Sequence, residues 1–161
     1  PIKSSAASDV YKRQACTAAA AYSVGVSEEE VKLARLLGEY IGICFQIKDD
    51  IFDYFDSKEI GKPTGNDMLE GKLTLPVLYA LNRANDNQAT EIALKVKEGT
   101  ATLDEIARLI AFTKENGGIE YAVRTMNAYK QKAFGLLASL PDSAICVALR
   151  SYLDYVVDRE K

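Results

Sequence analysis

The amino-acid sequence predicts an all-α protein built as a helical bundle. Apolar residues recur at helical spacing along most of the chain, and sequences typical of helix N-caps precede several of these segments. Glycine or proline follows most of them, as expected where helices end. No segment shows the strict apolar–polar alternation between turn residues that would indicate a strand or hairpin. Helices alone therefore account for the periodicity.

The first fourteen residues, PIKSSAASDVYKRQ, differ in composition from the rest of the chain. They are rich in serine and alanine, lack a clear periodicity, and are similar to the translated adaptor tails found on some metagenomic fragments. We therefore interpret residues 1–14 as a non-native tail and assign no function to Lys3, Lys12 or Arg13.

Two helices are expected after this tail. The small-residue segment ACTAAAAYSVG predicts a helix that ends near Gly25. Ser27 and Glu30 then have the spacing of a capping box, which opens a long periodic run to about Asp56.

A loop, DSKEIGKPTGNDMLEGKLT, is broken by glycines and a proline and separates this run from the remaining helices. Helical periodicity resumes around residues 75–81 and again in TEIALKVKEG. Thr102 and Glu105 predict a second capping box, and Gly117 is expected to end the helix that it opens. The segments IEYAVRTMNAYKQKAFGLLASL and, after Pro141, DSAICVALRSYLDYVVDRE predict the last two helices.

Composition excludes several classes of function. The 161 residues are 48% hydrophobic and 27% charged, with a net charge of −3 and scattered basic residues, which argues against nucleic-acid binding. No apolar stretch approaches the roughly 20 residues that span a bilayer, and we expect no signal peptide. Three separated cysteines, Cys16, Cys44 and Cys146, are typical of reduced thiols, so we expect a cytoplasmic protein.

The chain contains no histidine. Within this chain, that excludes a Ser-His-Asp triad, a Cys-His pair and a zinc site with histidine ligands. Any catalysis must therefore depend on carboxylates, lysines, tyrosines or a hard metal ion bound through oxygen.

Carboxylates cluster in the segment FQIKDDIFDYF and the aspartate that follows it. At about 100° per residue, Asp49, Asp53 and Asp56 lie on one face of a helix. Like charges one turn apart repel, so this face indicates either a solvated acidic surface or a site for a cation such as Mg²⁺. Gly38 and Gly42 project onto the same stripe, where they leave room for a neighbouring helix or a ligand. The opposite face is expected to lie in a core and consists of Ile47, Ile51, Tyr54 and Phe55.

The following loop, GKPTGNDMLEGKLTLP, places Lys62 and Lys72 among glycines. Glycine lets the backbone approach a bulky anion, and lysine supplies a point charge for phosphate. In isolation these would be ordinary surface lysines. Directly after an acidic helix, they indicate a site for Mg²⁺ and a diphosphate.

The segments FQIKDDIFD and GKPTGNDMLEGKLTLP together resemble the second aspartate-rich motif and the following loop of the trans-isoprenyl diphosphate synthases, the polyprenyl synthetases. The resemblance covers roughly the second half of a family member, so residues 15–161 are expected to be the C-terminal part of a polyprenyl synthase domain with the isoprenoid-synthase fold. It implies a Mg²⁺-dependent prenyltransferase, for which Mn²⁺ can substitute. Such enzymes join an allylic diphosphate to isopentenyl diphosphate and make a longer trans-polyprenyl diphosphate. Family members are usually homodimers.

The same resemblance assigns roles to individual residues. It gives metal binding to Asp49, Asp50 and Asp53, with Asp49 as a direct ligand. It gives diphosphate binding to Gln46, Lys62 and Lys72. The candidate catalytic residues are Asp49, Asp50 and Lys62.

The chain also departs from the family pattern. The first aspartate-rich motif and the residues that set product length have no counterpart here, so we expect this chain to be inactive alone. Ser8 and Asp9 stand where the family has a Lys-Thr pair. Three alternatives remain: a non-catalytic subunit of a heteromeric prenyl synthase, a class I terpene cyclase, and a helical interaction module. The second metal motif of terpene cyclases typically mixes Asn or Asp, Ser or Thr, and Glu, which DDIFD does not resemble.

Overall fold

The computed structural model describes residues 5–55 and 64–160. These residues are helical and include no strand, which confirms the all-α prediction. In chain order the helices are α1 (Ser5–Ser23), α2 (Glu28–Phe52), α3 (Asn66–Leu69), α4 (Leu75–Ala84), α5 (Asn87–Glu98), α6 (Leu103–Glu115), α7 (Gly118–Ala138) and α8 (Ala144–Asp158).

Helices α2 and α6 begin at the two predicted capping boxes. Glu30 Oε2 accepts hydrogen bonds from the backbone N–H and the hydroxyl of Ser27, at 2.8 Å and 2.7 Å, and Ser27 Oγ accepts the Glu30 N–H at 3.3 Å. Thr102 and Glu105 form the same reciprocal pair before α6. Each box satisfies N–H groups that the first turn of a helix leaves unpaired.

The helix ends agree with prediction at the glycines and differ near the aspartates. Gly25 and Gly117 follow α1 and α6 with a φ of 74°, as predicted for glycines that end helices. Helix α2 ends at Phe52, whereas the periodic run predicts a helix to about Asp56, which lies outside the described residues. The residues after Phe52 form a turn instead of a further stretch of α-helix. The N–H of Asp53 still bonds to the carbonyl four residues earlier, but that of Tyr54 bonds to the carbonyl three residues earlier.

The structure also has helix in the predicted loop and in the predicted tail. The short helix α3 lies in the segment that the sequence predicts as loop. Helix α1 begins at Ser5 and therefore includes residues of the tail predicted to be non-native. The origin of residues 1–14 stays a prediction.

The chain divides into two compact units. The first contains α1, α2 up to Lys48, α7 from Thr125, and α8. The second consists of residues 49–124. The aspartates at the end of α2, the loop that follows them and helices α3–α6 all belong to the second unit.

In the first unit, α1 packs on the glycines of α2. A Cβ added at Gly38 would overlap Thr17 Oγ1 and lie 2.6 Å from the carbonyl oxygen of Arg13, and one at Gly42 would lie 2.9 Å from Val10 Cα. Real Cβ atoms do not approach backbone this closely. The two glycines therefore accommodate a neighbouring helix, which is one of the two alternatives that their position suggests.

In the second unit, α6 packs against α4 and α5, and α3 packs against α5. Their shared core includes Met68, Val77, Val96 and Leu109. Tyr54 belongs to the same core and is only 2% exposed, so it fastens the turn after α2 to these helices. Apolar burial of this kind supplies most of the stability of helices that are individually short.

All three cysteines are free thiols. Cys44 is buried, and burial raises the pKa of its thiol to about 11, which keeps it protonated and unreactive at neutral pH. None of the described helices is long and apolar enough to cross a membrane.

Helix α7 begins at Gly118, where the neighbouring residues leave no room for a side chain. A Cβ added at Gly118 would overlap the carbonyl oxygen of Pro76 and come within 2.7 Å of Thr113 Cγ2. We expect Gly118→Ala to lower the free energy of unfolding by about 1–3 kcal/mol because α7 must move away from α4. Gly135 lies in the same helix with nothing within 4 Å of its added Cβ, so Gly135→Ala is the matched control. It should stabilise the chain by about 0.5–1 kcal/mol. Urea denaturation of both variants checks the difference, and equal effects would contradict the steric explanation.

A second prediction concerns acid stability. Glu105 Oε1 lies 2.7 Å from Lys95 Nζ, and this ion pair together with the Thr102 backbone lowers the pKa of the Glu105 carboxyl from 4.5 to about 2. A carboxyl with a lowered folded-state pKa stabilises the fold above its unfolded pKa and loses that contribution as pH falls toward the folded value. Glu105→Gln should therefore make the thermal midpoint fall less steeply between about pH 5 and about pH 2. Glu91 also contacts Lys95, at 3.4 Å, so Glu91→Gln is the matched control, and an equal change of slope in both variants would contradict the role given to Glu105.

Candidate functional site

The acidic site lies at the end of α2. Asp49 and Asp50 are in its last turn, and Asp53 is in the turn that follows, where its N–H donates to the Asp49 carbonyl at 3.3 Å. Tyr54 holds this turn in the core of the second unit. The local structure therefore places all three predicted aspartates on one short stretch of backbone.

The apolar side of this segment is as predicted except at one residue. Ile47, Ile51 and Tyr54 are buried. Phe55 is 45% exposed, so its predicted place in the core is wrong. The reason is that the chain has left the helix by this point, and the Phe55 ring instead lies 4.7 Å from Lys114 Nζ in a cation–π contact.

Asp53 binds the returning loop through its carboxylate. Its Oδ1 accepts the N–H of Asn66 at 2.9 Å, and its Oδ2 accepts the N–H of Asp67 at 3.1 Å. Its carbonyl oxygen accepts the N–H of Gly65 at 2.9 Å. Both carboxylate oxygens are thus already engaged with backbone.

Asp67 is an acidic residue of the site that the sequence analysis did not single out. It lies in the loop between the predicted lysines and is half-buried. Burial raises the pKa of its carboxyl, and the charges of Asp53 and Asp49 raise it further, while Lys72 opposes them. The sequence could have indicated Asp67, because it is the aspartate of GNDMLEGK, in the same loop as the predicted lysines.

Asp50 is a carboxyl of the site whose pKa is strongly raised. Burial is the largest cause, and the charges of Asp67 and Asp49 add to it, so that the pKa of Asp50 rises to about 7. The backbone of Leu75, the first residue of α4, opposes the rise by a hydrogen bond to the carboxylate. Several carboxylates are therefore held close together against their repulsion, an arrangement that a cation would relieve.

The donor chemistry fits a hard divalent cation. Across residues 5–55 and 64–160, no three histidine, cysteine, aspartate or glutamate side chains are grouped so as to hold a metal ion by themselves. Mg²⁺ commonly takes only one or two carboxylates and completes its shell with water and substrate phosphate. Oxygen donors from Asp49 and Asp50 meet that requirement without a full protein cage.

The predicted diphosphate-binding residues fall in three different places. Lys72 Nζ lies 2.5 Å from Glu70 Oε2 and 3.8 Å from Asp67 Oδ1, so it lies beside the acidic cluster. Lys62 lies outside the described residues. Gln46 is in α2, in the part of that helix that belongs to the first unit.

The described residues thus combine an all-α fold with clustered carboxylates and a lysine on an adjoining loop. Residues 10–113 match the family model described as Polyprenyl synthetase. The chain belongs to the polyprenyl synthetase family, as the sequence resemblance predicts.

Solved structures agree with this assignment. The chain is 74% identical to geranylgeranyl pyrophosphate synthase from Bacteroides thetaiotaomicron, with a TM-score of 0.90, and the match covers 94% of this chain and 50% of that one. It is 29% identical to a polyprenyl synthase from Caulobacter crescentus CB15, a structure complexed with calcium and isoprenyl diphosphate. That match has a TM-score of 0.79 and covers 92% of this chain and 46% of the other. The predicted isoprenoid-synthase fold is confirmed.

Among curated relatives, the chain is 35% identical over 141 residues to "Heptaprenyl diphosphate synthase component 2" of Bacillus subtilis (strain 168). This match covers 87% of the chain and 39% of the relative. The chain therefore spans at most about half the length of these relatives.

Proposed function

We propose that a protein containing this chain transfers an allylic prenyl group to isopentenyl diphosphate and so makes a longer trans-polyprenyl diphosphate. The observation that carries this proposal is the meeting of Asp50, Asp67 and Lys72 beside Asp49, at the residues where the chain resembles prenyl diphosphate synthases. The relative complexed with calcium and isoprenyl diphosphate supports a site for both a divalent cation and a diphosphate.

Asp49 and Asp50 are the residues that would hold Mg²⁺, or Mn²⁺ in its place. The ion, when bound, supplies positive charge that stabilises a diphosphate leaving group. Asp50 must be ionised to bind it, and a neighbouring cation favours that ionised form over the protonated one. Asp53, predicted as a third ligand, also serves the loop through both of its oxygens.

Lys72 is the cation of the described loop that would bind the diphosphate. Its side chain is 43% exposed, so a ligand can reach it. A phosphate oxygen would take the place that Glu70 occupies beside its ammonium group. Lys62 and Gln46 complete the predicted set of diphosphate-binding residues.

Assembly and location form part of the same proposal. The sequence resemblance predicts a homodimer, and the three separated cysteines predict a cytoplasmic protein. The relative named as a synthase component favours a second candidate, in which the chain belongs to one subunit of a heteromeric prenyl synthase. Size-exclusion chromatography with light scattering on the full-length protein distinguishes the two, because a heteromeric subunit would not form the active species alone.

The direct test of the activity is Asp49→Ala in a full-length protein that contains this chain. We expect turnover of an allylic diphosphate with isopentenyl diphosphate to fall by about two to four orders of magnitude, because a metal ligand is lost. Asp104 is exposed in the first turn of α6 and takes part in none of the interactions described for the site, so Asp104→Ala, which removes the same charge, is the matched control. Near-normal turnover in Asp49→Ala, or no product from the wild type with Mg²⁺, would refute the proposal.

Lys62→Ala gives an independent test. A loop lysine contributes little packing, so we expect the KM for the diphosphate substrate to rise by about tenfold or more while the melting temperature stays nearly constant. Lys97, exposed on α5, provides the matched control Lys97→Ala. A lowered melting temperature with unchanged KM and kcat would assign Lys62 a structural role instead.

A further inference from the structure

Helix α3 has no cap of its own. Its N-cap residue is Gly65, which has a φ of 81° and no side chain that could accept a hydrogen bond. A Cβ added there would lie 2.9 Å from Ile106 Cγ2, so the close approach to α6 adds to the preference for glycine. The first N–H groups of α3 must therefore find acceptors elsewhere.

Asp53 provides those acceptors from the end of α2. Its two carboxylate oxygens accept the N–H groups of Asn66 and Asp67, at 2.9 Å and 3.1 Å, as the side chain of an N-cap residue would. Its carbonyl oxygen accepts the N–H of Gly65. Three consecutive loop residues are thus bonded to one aspartate, and bonds to an ionised acceptor are stronger than neutral ones.

This attachment reaches the functional groups of the loop. Asp67 is held at its N–H by Asp53, and its carbonyl oxygen accepts the N–H of Lys72 at 2.7 Å. A continuous chain of hydrogen bonds therefore leads from Asp53 through Asp67 to Lys72. The Asp67 carboxylate at the middle of this chain is close enough to Asp49 and Asp50 for their charges to interact.

We propose that Asp53 is a positioning residue, which caps α3 across the loop and holds Asp67 and Lys72 beside Asp49 and Asp50, rather than a metal ligand equivalent to Asp49. The purpose of this positioning rests on the proposed function. The attachment itself does not, since it involves only residues of this chain.

Amide hydrogen exchange of this chain, measured by NMR without any metal, tests the attachment. Asp53→Asn preserves the size of the side chain and one acceptor oxygen but replaces the other with an NH₂ group that cannot accept. The amide that loses its acceptor depends on which oxygen the NH₂ group replaces. We expect hydrogen exchange at that amide, Asp67 or Asn66, to become about tenfold faster or more. Asp53→Ala should accelerate both.

Asp49→Asn is the matched control, since it removes the same charge one turn earlier on the same backbone. It should change exchange at Asn66 and Asp67 by less than about twofold, because both N–H groups donate to Asp53. The amides of Val96 and Leu109 report on the core and should keep their protection in every variant, which shows that the unit remains folded. Wild-type exchange rates in Asp53→Asn, or equal acceleration in Asp49→Asn, would overturn the proposal.

A calorimetric titration of the same variants with Mg²⁺ alone separates this inference from the proposed function. We expect Asp53→Asn to weaken binding less than Asp49→Asn does. If Asp53→Asn abolishes Mg²⁺ binding and leaves the exchange rates unchanged, Asp53 is a ligand and the inference fails. If wild type binds no Mg²⁺ but the exchange rates change as expected, the positioning role stands and the metal-binding part of the proposed function fails for this chain.

Discussion

Electrostatic repulsion between partly buried carboxylates is the constraint on which this site depends. Asp49, Asp50 and Asp67 approach one another where water is partly excluded, so each raises the free energy of the others' ionised form. The fold tolerates this repulsion because the apolar core of the second unit, to which Tyr54 belongs, supplies stability independently of these charges. A cation bound beside these carboxylates, as proposed, would relieve the repulsion between them.

Local backbone groups moderate that repulsion without removing it. The first turn of α4 directs a backbone N–H at Asp50, and the first turn of α3 directs two at Asp53. Helix N-termini favour negative charge because their N–H groups are otherwise unpaired. Two adjoining helix starts thus surround the acidic end of α2, which explains how one short segment can hold so many carboxylates.

The sequence predicted what depends on residues close together in the chain. Both capping boxes, the glycine stops and the aspartate spacing are local patterns, and the structure has the boxes and the stops where they were expected. The pairing of Asp53 with Asn66 and Asp67 could not be predicted in this way. It depends on how the loop returns to α2, and no periodicity records a contact between residues thirteen or fourteen positions apart.

The same reasoning explains the other differences. Phe55 was expected in the core because a helix that continued past Phe52 would have buried it, and the turn at Tyr54 redirects it to the surface. Helix α3 is too short to leave a periodic signal. The family motif predicted roles for Asp49, Asp50 and Asp53 together, whereas the hydrogen bonds of Asp53 to the N–H groups of Asn66 and Asp67 are visible only in the structure.

The contact between Lys72 and Glu70 has a consequence for any anion that approaches this loop. The Lys72 ammonium group is already paired with the carboxylate of Glu70, which belongs to the same loop. Both side chains are exposed. An incoming phosphate therefore replaces one ion pair with another, and the net gain is the difference between them. If Lys72 binds an anion as proposed, this competition would favour a multiply charged diphosphate over a singly charged anion such as chloride. Because Glu70 is only two residues from Lys72 in the chain, it would pair with Lys72 again when such a ligand leaves.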